Sequence, residues 1–133
     1  MNLLSRSTDY AIRALVYMAK DEDRVVSTAD LDRDLKLPRP FMRKTLQLLQ
    51  KAGYLSSIKG NKGGFHLEVD PEKVRLIDLM TIFQGPMSFG DCLFKKKLCN
   101  CAGSCPLRKE IKAMESMVLG HLNNVSLADL IRG

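Results

Sequence analysis

Four cysteines are the residues whose type and spacing most clearly suit chemistry. Cys92, Cys99, Cys101 and Cys105 follow the pattern C-x6-C-x-C-x3-C. No export signal is visible at the N-terminus, so we expect a reducing cytoplasmic compartment in which disulfide bonds are disfavoured. Clustered thiolates then bind zinc or an iron–sulfur cluster, or act as a redox switch. Since most zinc sites pair their ligands as C-x2-C, this spacing favours an iron–sulfur cluster.

Positive charge accompanies the cysteines. Residues 95–97 are all lysine, and Arg108 and Lys109 follow the last cysteine. Such charge stabilises thiolates and offsets the negative charge of a thiolate-ligated cluster, although a solvated loop has the same composition. No C-x2-C motif stands at a helix N-terminus, and no general acid–base constellation lies near the thiols. We therefore expect a protein that is not an enzyme.

The net charge of +6 is unevenly distributed along the chain. Residues 36–64 hold seven basic side chains and no acidic one, whereas the remaining residues hold 14 basic and 15 acidic side chains. Charge of one sign beside a nearly neutral body indicates a polyanion such as DNA as partner, with a solvated basic face as the alternative. No apolar run approaches the ~20 residues of a membrane span, so no membrane partner is expected.

Apolar periodicity predicts three helices within residues 9–52. The first spans residues 9–20, with Ser7 as its N-cap. The second begins at Ser27, and Asp30 three residues later resembles the acid of a capping box. The third spans residues 39–52 and has an inward stripe of Phe41, Thr45, Leu48 and Leu49. The last two helices and their short turn are typical of a helix-turn-helix, with a hairpin in a plain bundle as the alternative.

The third helix would present polar side chains to the major groove of DNA, as recognition helices do. These candidate DNA-binding residues are Arg39, Arg43, Lys44 and Gln47. A β-hairpin with strands at residues 54–58 and 65–69 is predicted to follow. Its glycine-rich tip carries Lys59, Asn61 and Lys62 and would form a wing against the phosphate backbone or the minor groove.

The C-terminal part of the chain is predicted to hold the cysteines and a long helix. A short helix spans residues 76–83, an aperiodic segment follows, and Pro106 opens the long helix. Its apolar stripe consists of Leu107, Ile111, Met114, Val118, Leu122 and Val125. A stripe of this length favours a dimer interface, with a core helix as the alternative. The fold class is therefore mostly α: a winged helix-turn-helix with a long C-terminal dimerisation helix.

Three blocks of sequence carry a resemblance to a known family. They are STDYAIRAL at residues 7–15, KAGYLSS followed by GNKGGF within residues 51–65, and the cysteine segment with SLADL at residues 126–130. Together they resemble the bacterial winged-helix iron–sulfur and redox-sensing regulators of the IscR, NsrR and CymR type. The resemblance implies a homodimeric repressor that binds a palindromic operator. It also implies a DNA-binding domain at residues 1–84, a cluster-binding loop at 85–105 and a dimerisation region at 106–133.

The same resemblance implies ligands for a [2Fe–2S] or [4Fe–4S] cluster that senses nitric oxide, redox state or iron–sulfur status. It assigns Cys92, Cys99 and Cys105 as ligands. The role of Cys101 stays open: it could replace Cys99 as a ligand, serve as a fourth thiolate ligand, or not be a ligand. The histidine ligand of some members is replaced here by Arg108, whose guanidinium stays protonated and cannot coordinate. Asp9, donated by the partner subunit, is then the fourth candidate, although an acid in a first helical turn also stabilises the helix dipole. The alternative function is a zinc- or thiol-stabilised regulator that binds DNA or protein without a cluster.

Overall fold

The computed structural model describes residues 2–90 and 104–133. In chain order its elements are α1 (Arg6–Ala19), α2 (Thr28–Leu35), α3 (Arg39–Lys51), β1 (Leu55–Ile58), β2 (Gly64–Leu67), a 3-10 turn (Pro71–Lys73), α4 (Leu76–Gln84), α5 (Pro106–Asn124) and α6 (Leu127–Arg132). A helix-turn-helix is thus followed by a two-stranded antiparallel sheet and a long C-terminal helix. This order confirms the fold class predicted from the sequence.

Helix α1 begins earlier than the sequence predicts. Its N-cap is Ser5, whose Oγ accepts a hydrogen bond from the backbone N–H of Thr8 at 3.1 Å. The prediction of Ser7 as N-cap is therefore wrong, because Ser7 lies inside the first turn. Ser5 is favoured because its own backbone N–H donates to the side chain of Gln84, a long-range contact that local sequence does not reveal.

Helix α2 begins with the predicted capping box. The Ser27 hydroxyl accepts a hydrogen bond from the Asp30 N–H, and the Asp30 carboxylate accepts one from the Ser27 N–H. This backbone hydrogen bond is the main reason that the pKa of Asp30 is lowered. Lys36, in the left-handed conformation, ends the helix and sets the turn into α3.

The hydrophobic core surrounds α1, which packs against α3, α4 and α6. The buried face of α3 consists of Met42, Thr45, Leu46 and Leu49. The predicted inward stripe was correct at Thr45 and Leu49 but wrong at Phe41 and Leu48, which are 51% and 37% exposed. The observed set follows the i, i+3, i+4, i+7 spacing of one helical face, whereas Phe41 and Leu48 flank that face.

The wing, formed by β1, β2 and their connecting turn, is fixed to the helical body through one residue before α2. Val26 and Phe65 exchange two backbone hydrogen bonds of 2.8 Å and so form an antiparallel bridge. In the hairpin itself, β2 pairs with β1, and Leu67 lies opposite Leu55. Gly64 makes this approach possible, because a Cβ there would lie 2.5 Å from the carbonyl oxygen of Val26. The wing therefore has a defined position beside the helix-turn-helix.

Helix α5 contacts the body mainly through α4. Leu122 is buried near its C-terminal end, whereas Leu107 and Met114 on the predicted stripe are 68% and 50% exposed. The prediction that Pro106 opens this helix is confirmed. Across residues 2–90 and 104–133, no helix combines the length and the apolarity that a membrane span requires.

Candidate DNA interface and thiol site

Helix α3 carries the predicted recognition residues on its solvent side. Arg39, Arg43 and Gln47 are spaced four residues apart, so they follow one face of the helix, and Lys44 lies next to them. All four side chains are exposed. A recess of about 360 Å³ between the N-termini of α2 and α3 is lined by Thr28, Arg39, Pro40 and Arg43. The start of α3 thus presents a cationic surface next to the start of α2.

The wing tip carries the other predicted DNA-binding residues. Lys59, Asn61 and Lys62 are all exposed on the turn between β1 and β2. Gly63 is required in this turn, because a Cβ there would overlap the carbonyl oxygen of Ile58. A tight turn of this kind is what the predicted contact of Lys59 and Lys62 with a phosphate backbone would need.

One hydrogen bond joins the recognition helix to the wing. The side-chain amide of Gln50 in α3 donates to the hydroxyl of Ser57 in β1 at 3.1 Å. This contact ties β1, and with it the wing, to the helix that carries Arg39 and Arg43. The wing therefore keeps a defined position relative to α3, as a joint DNA-binding surface would require.

The structure also reveals an acid at this surface that the sequence analysis did not identify. Asp32 in α2 accepts a hydrogen bond from Nε of Arg39 at 2.6 Å. The pair spans seven residues and two helices, so no helical spacing rule identifies it. Phe41 likewise contacts another element, with its ring edge-on to Tyr10 of α1 at 6.2 Å between centroids.

Cys105 occupies the N-cap position of α5 and is half-buried. Within the described part of the chain, it lines a recess of about 620 Å³ together with Ser104, Arg108, Lys109 and Lys112. A cysteine that shares a recess with several cationic side chains suits the predicted role of Cys105 as a ligand to an anionic metal centre.

Of the other predicted ligands, the structure describes Asp9 alone. Cys92, Cys99 and Cys101 lie outside the described residues, and no group of three or more potential metal ligands comes together within 2–90 and 104–133. Asp9 lies in the first turn of α1, where its carboxylate accepts a hydrogen bond from Nε of Arg13 at 2.8 Å. That hydrogen bond raises the pKa of Arg13. A metal bound by Asp9 would have to compete with this cation.

A winged helix with a basic, exposed recognition helix defines a class of protein, the helix-turn-helix transcriptional regulators. Residues 4–133 match the Rrf2 family, whose description is "Iron-dependent Transcriptional regulator". The chain belongs to this family. Regulators of the family bind DNA and are typically dimeric.

Individual proteins agree with this assignment. A candidate HTH-type transcriptional regulator of Aquifex aeolicus is 29% identical over 131 residues, which cover 97% of this chain and 91% of that protein. CymR, the global cysteine regulator of B. subtilis, has a TM-score of 0.82 at 22% identity, covering 99% of this chain and 98% of that one. IscR of T. potens has a TM-score of 0.75 at 19% identity, covering 98% and 87%. At such identities the two structures establish the fold only.

Proposed function

We propose that this protein is a cytoplasmic, sequence-specific DNA-binding repressor whose operator affinity is controlled by an iron–sulfur cluster. The observation that carries the DNA-binding half is the joined basic surface of α3 and the wing, held together by Gln50 and Ser57. In this proposal residues 1–84 bind DNA, residues 85–105 hold the cluster and residues 106–133 form the dimer.

The side chains on this surface have distinct roles in the proposal. Arg43 lies in the first half of α3 and Gln47 one turn further along the same face, and both would contact base edges in the major groove, as residues of recognition helices do. Lys59 and Lys62 at the wing tip neutralise phosphates, which adds affinity for any sequence and makes that affinity depend on salt. Asn61 between them can donate or accept hydrogen bonds in the minor groove.

The thiol half of the proposal is supported by the environment of Cys105. Cys105 lines the same recess as Arg108, Lys109 and Lys112, whose charges would offset the negative charge of a thiolate-ligated cluster. Cys92, Cys99 and either Cys101 or the partner's Asp9 would complete the ligand set. A bound cluster supplies a centre whose charge and bonding change on oxidation, nitrosylation or loss of iron.

A homodimer is supported by the exposed apolar stripe of α5. Leu107 and Met114 project into solvent from a single chain, although apolar side chains gain free energy by burial. Two copies related by a two-fold axis would cover each other's stripes and place two recognition helices side by side. Such a dimer matches a palindromic operator.

The proposal is tested by purifying the full chain without oxygen and recording its visible spectrum with iron, sulfide and zinc analyses. We expect a coloured protein that contains iron and sulfide. Cys105→Ser should lose the colour, whereas the neighbouring Ser104→Ala should keep it. A colourless wild-type protein with one equivalent of zinc would contradict the cluster and favour the zinc-stabilised alternative.

A further inference from the structure

One acidic side chain lies among the cations of the recognition helix. Asp32 follows Thr28 by four residues, so both lie on the same face of α2. Thr28 lines the recess that Arg39 and Arg43 also line, and Asp32 bonds Arg39 directly. The face of α2 that borders the DNA-binding surface therefore carries a carboxylate, although residues 36–64 contain no acid.

This ion pair is accessible to a competing anion. The side chain of Arg39 is 68% exposed and that of Asp32 is 37% exposed. Exposed pairs of this kind are weak, since water and salt screen them. A DNA phosphate offers the guanidinium a charge-assisted and often bidentate hydrogen bond of the same type. A phosphate can thus replace the carboxylate as the partner of Arg39.

We propose that Asp32 is an intramolecular competitor of DNA for Arg39. In the free protein the Asp32 carboxylate holds the Arg39 guanidinium at the start of α3, and DNA must displace it to gain this contact. Asp32 then also faces the phosphates as an unpaired negative charge. This inference rests on the proposed DNA-binding function and assigns to Asp32 the role of a positioning residue that limits non-specific affinity.

The consequence is a measurable excess affinity when the carboxylate is removed. Asp32→Asn should bind random-sequence duplex DNA about two- to five-fold more tightly than wild type, the range expected for loss of one exposed ion pair. Arg39 then contacts a phosphate in every complex rather than only in the fraction that has displaced Asp32, so the slope of log K against log salt should steepen by up to about 0.9.

A matched control is available on the same helix. Asp34 also pairs with an arginine, Arg33, at 2.8 Å, but it bonds Tyr17 of α1 rather than any residue of α3. Asp34→Asn therefore makes the same change of net charge and also breaks an exposed ion pair, two residues away. We expect its effect on DNA affinity to be smaller than that of Asp32→Asn, with the salt slope unchanged.

The experiment is a fluorescence anisotropy titration of a labelled random-sequence duplex at several salt concentrations. It compares wild type, Asp32→Asn, Asp34→Asn, Arg39→Gln and the double variant of positions 32 and 39, all checked for folding by circular dichroism. We expect Asp32→Asn to gain more affinity for DNA than Asp34→Asn does. This extra gain should disappear in the Arg39→Gln background. Equal gains for both asparagine variants, or the same gain in the Arg39→Gln background, would overturn the proposal. A wild-type protein that binds no duplex would instead contradict the proposed function itself.

Discussion

The hydroxyl of Thr8 donates a 2.7 Å hydrogen bond to the side-chain carbonyl of Gln84, which lies 76 positions later in the chain. The same amide accepts from the backbone N–H of Ser5 at 2.9 Å and donates to the carbonyl of Leu3 at 2.9 Å. Gln84 is the last residue of α4, directly before the segment with the cysteines. The start of that segment is thereby fixed against the start of α1, which carries Asp9.

Removal of this contact should loosen the start of α1. Gln84→Ala deletes the three hydrogen bonds, and we expect the free energy of unfolding to fall by about 1–3 kcal/mol, because each bond contributes roughly 0.5–1.5 kcal/mol and the exposed ones contribute least. Urea denaturation measures the loss. Hydrogen exchange should also become faster at the N-terminal amides of α1.

Thr81 in the same helix provides the control. Its hydroxyl donates to the carbonyl of Ile77 one turn earlier in the same helix, so Thr81→Ala should leave the exchange at α1 unchanged. If Gln84→Ala and Thr81→Ala have the same effect on α1, the Gln84 contact does not hold that helix.

Acid should destabilise the capping box of α6. The backbone N–H of Ser126 and the guanidinium of Arg132 lower the pKa of Asp129 to about 2, below its usual value of 3.8. A lowered folded-state pKa adds stability above pH ~4, and this contribution is lost as the pH falls from about 4 to 2. Asp129→Asn should therefore reduce the slope of the unfolding free energy across that range. Urea denaturation at a series of pH values measures this slope, and an Asp129→Asn variant with the slope of wild type would contradict the role of Asp129.

The stripe of α5 should determine the oligomeric state. Met114→Glu places a charge on an apolar interface, and we expect the dimer dissociation constant to rise by at least about tenfold, equivalent to ~1.4 kcal/mol. Because Met114 is exposed in a single chain, the fold should persist. Sedimentation equilibrium measures the constant. Ser116→Glu adds the same charge on the opposite face of the helix, and a dimer weakened equally by both variants would contradict this interface.

The two basic elements should differ in what they contribute to DNA binding. Arg43→Ala on α3 should mainly relax sequence preference, because the contacts proposed for Arg43 are to base edges, at about 1–3 kcal/mol for each good contact. Lys62→Ala on the wing should weaken binding to all sequences alike. Because one phosphate contact is lost, the slope of log K against log salt should become shallower by about 1. Titrations with a duplex selected from a random pool and with a random duplex separate the two effects. If neither variant changes either affinity, the assigned surface is wrong.

Local patterns predicted most of the fold, and long-range contacts account for what they missed. The capping box at Ser27 and the helix start at Pro106 depend on neighbouring residues, and both are confirmed. The N-cap of α1 depends on Gln84, and the inward face of α3 depends on how α1 packs against it. The pair of Asp32 with Arg39 was missed for the same reason, since it joins two helices. Three of the four cysteines lie outside the described residues, so their assignment stays a prediction.

In the proposed function, an iron–sulfur cluster controls DNA binding by this winged helix. The most direct test is the dissociation constant for a duplex selected by the anaerobically purified protein, measured before and after chelation of its iron at fixed salt. We expect the dissociation constant to change roughly 5- to 150-fold, the usual range of coupling between two sites. Equal affinities before and after removal of the iron would contradict the proposed control by the cluster.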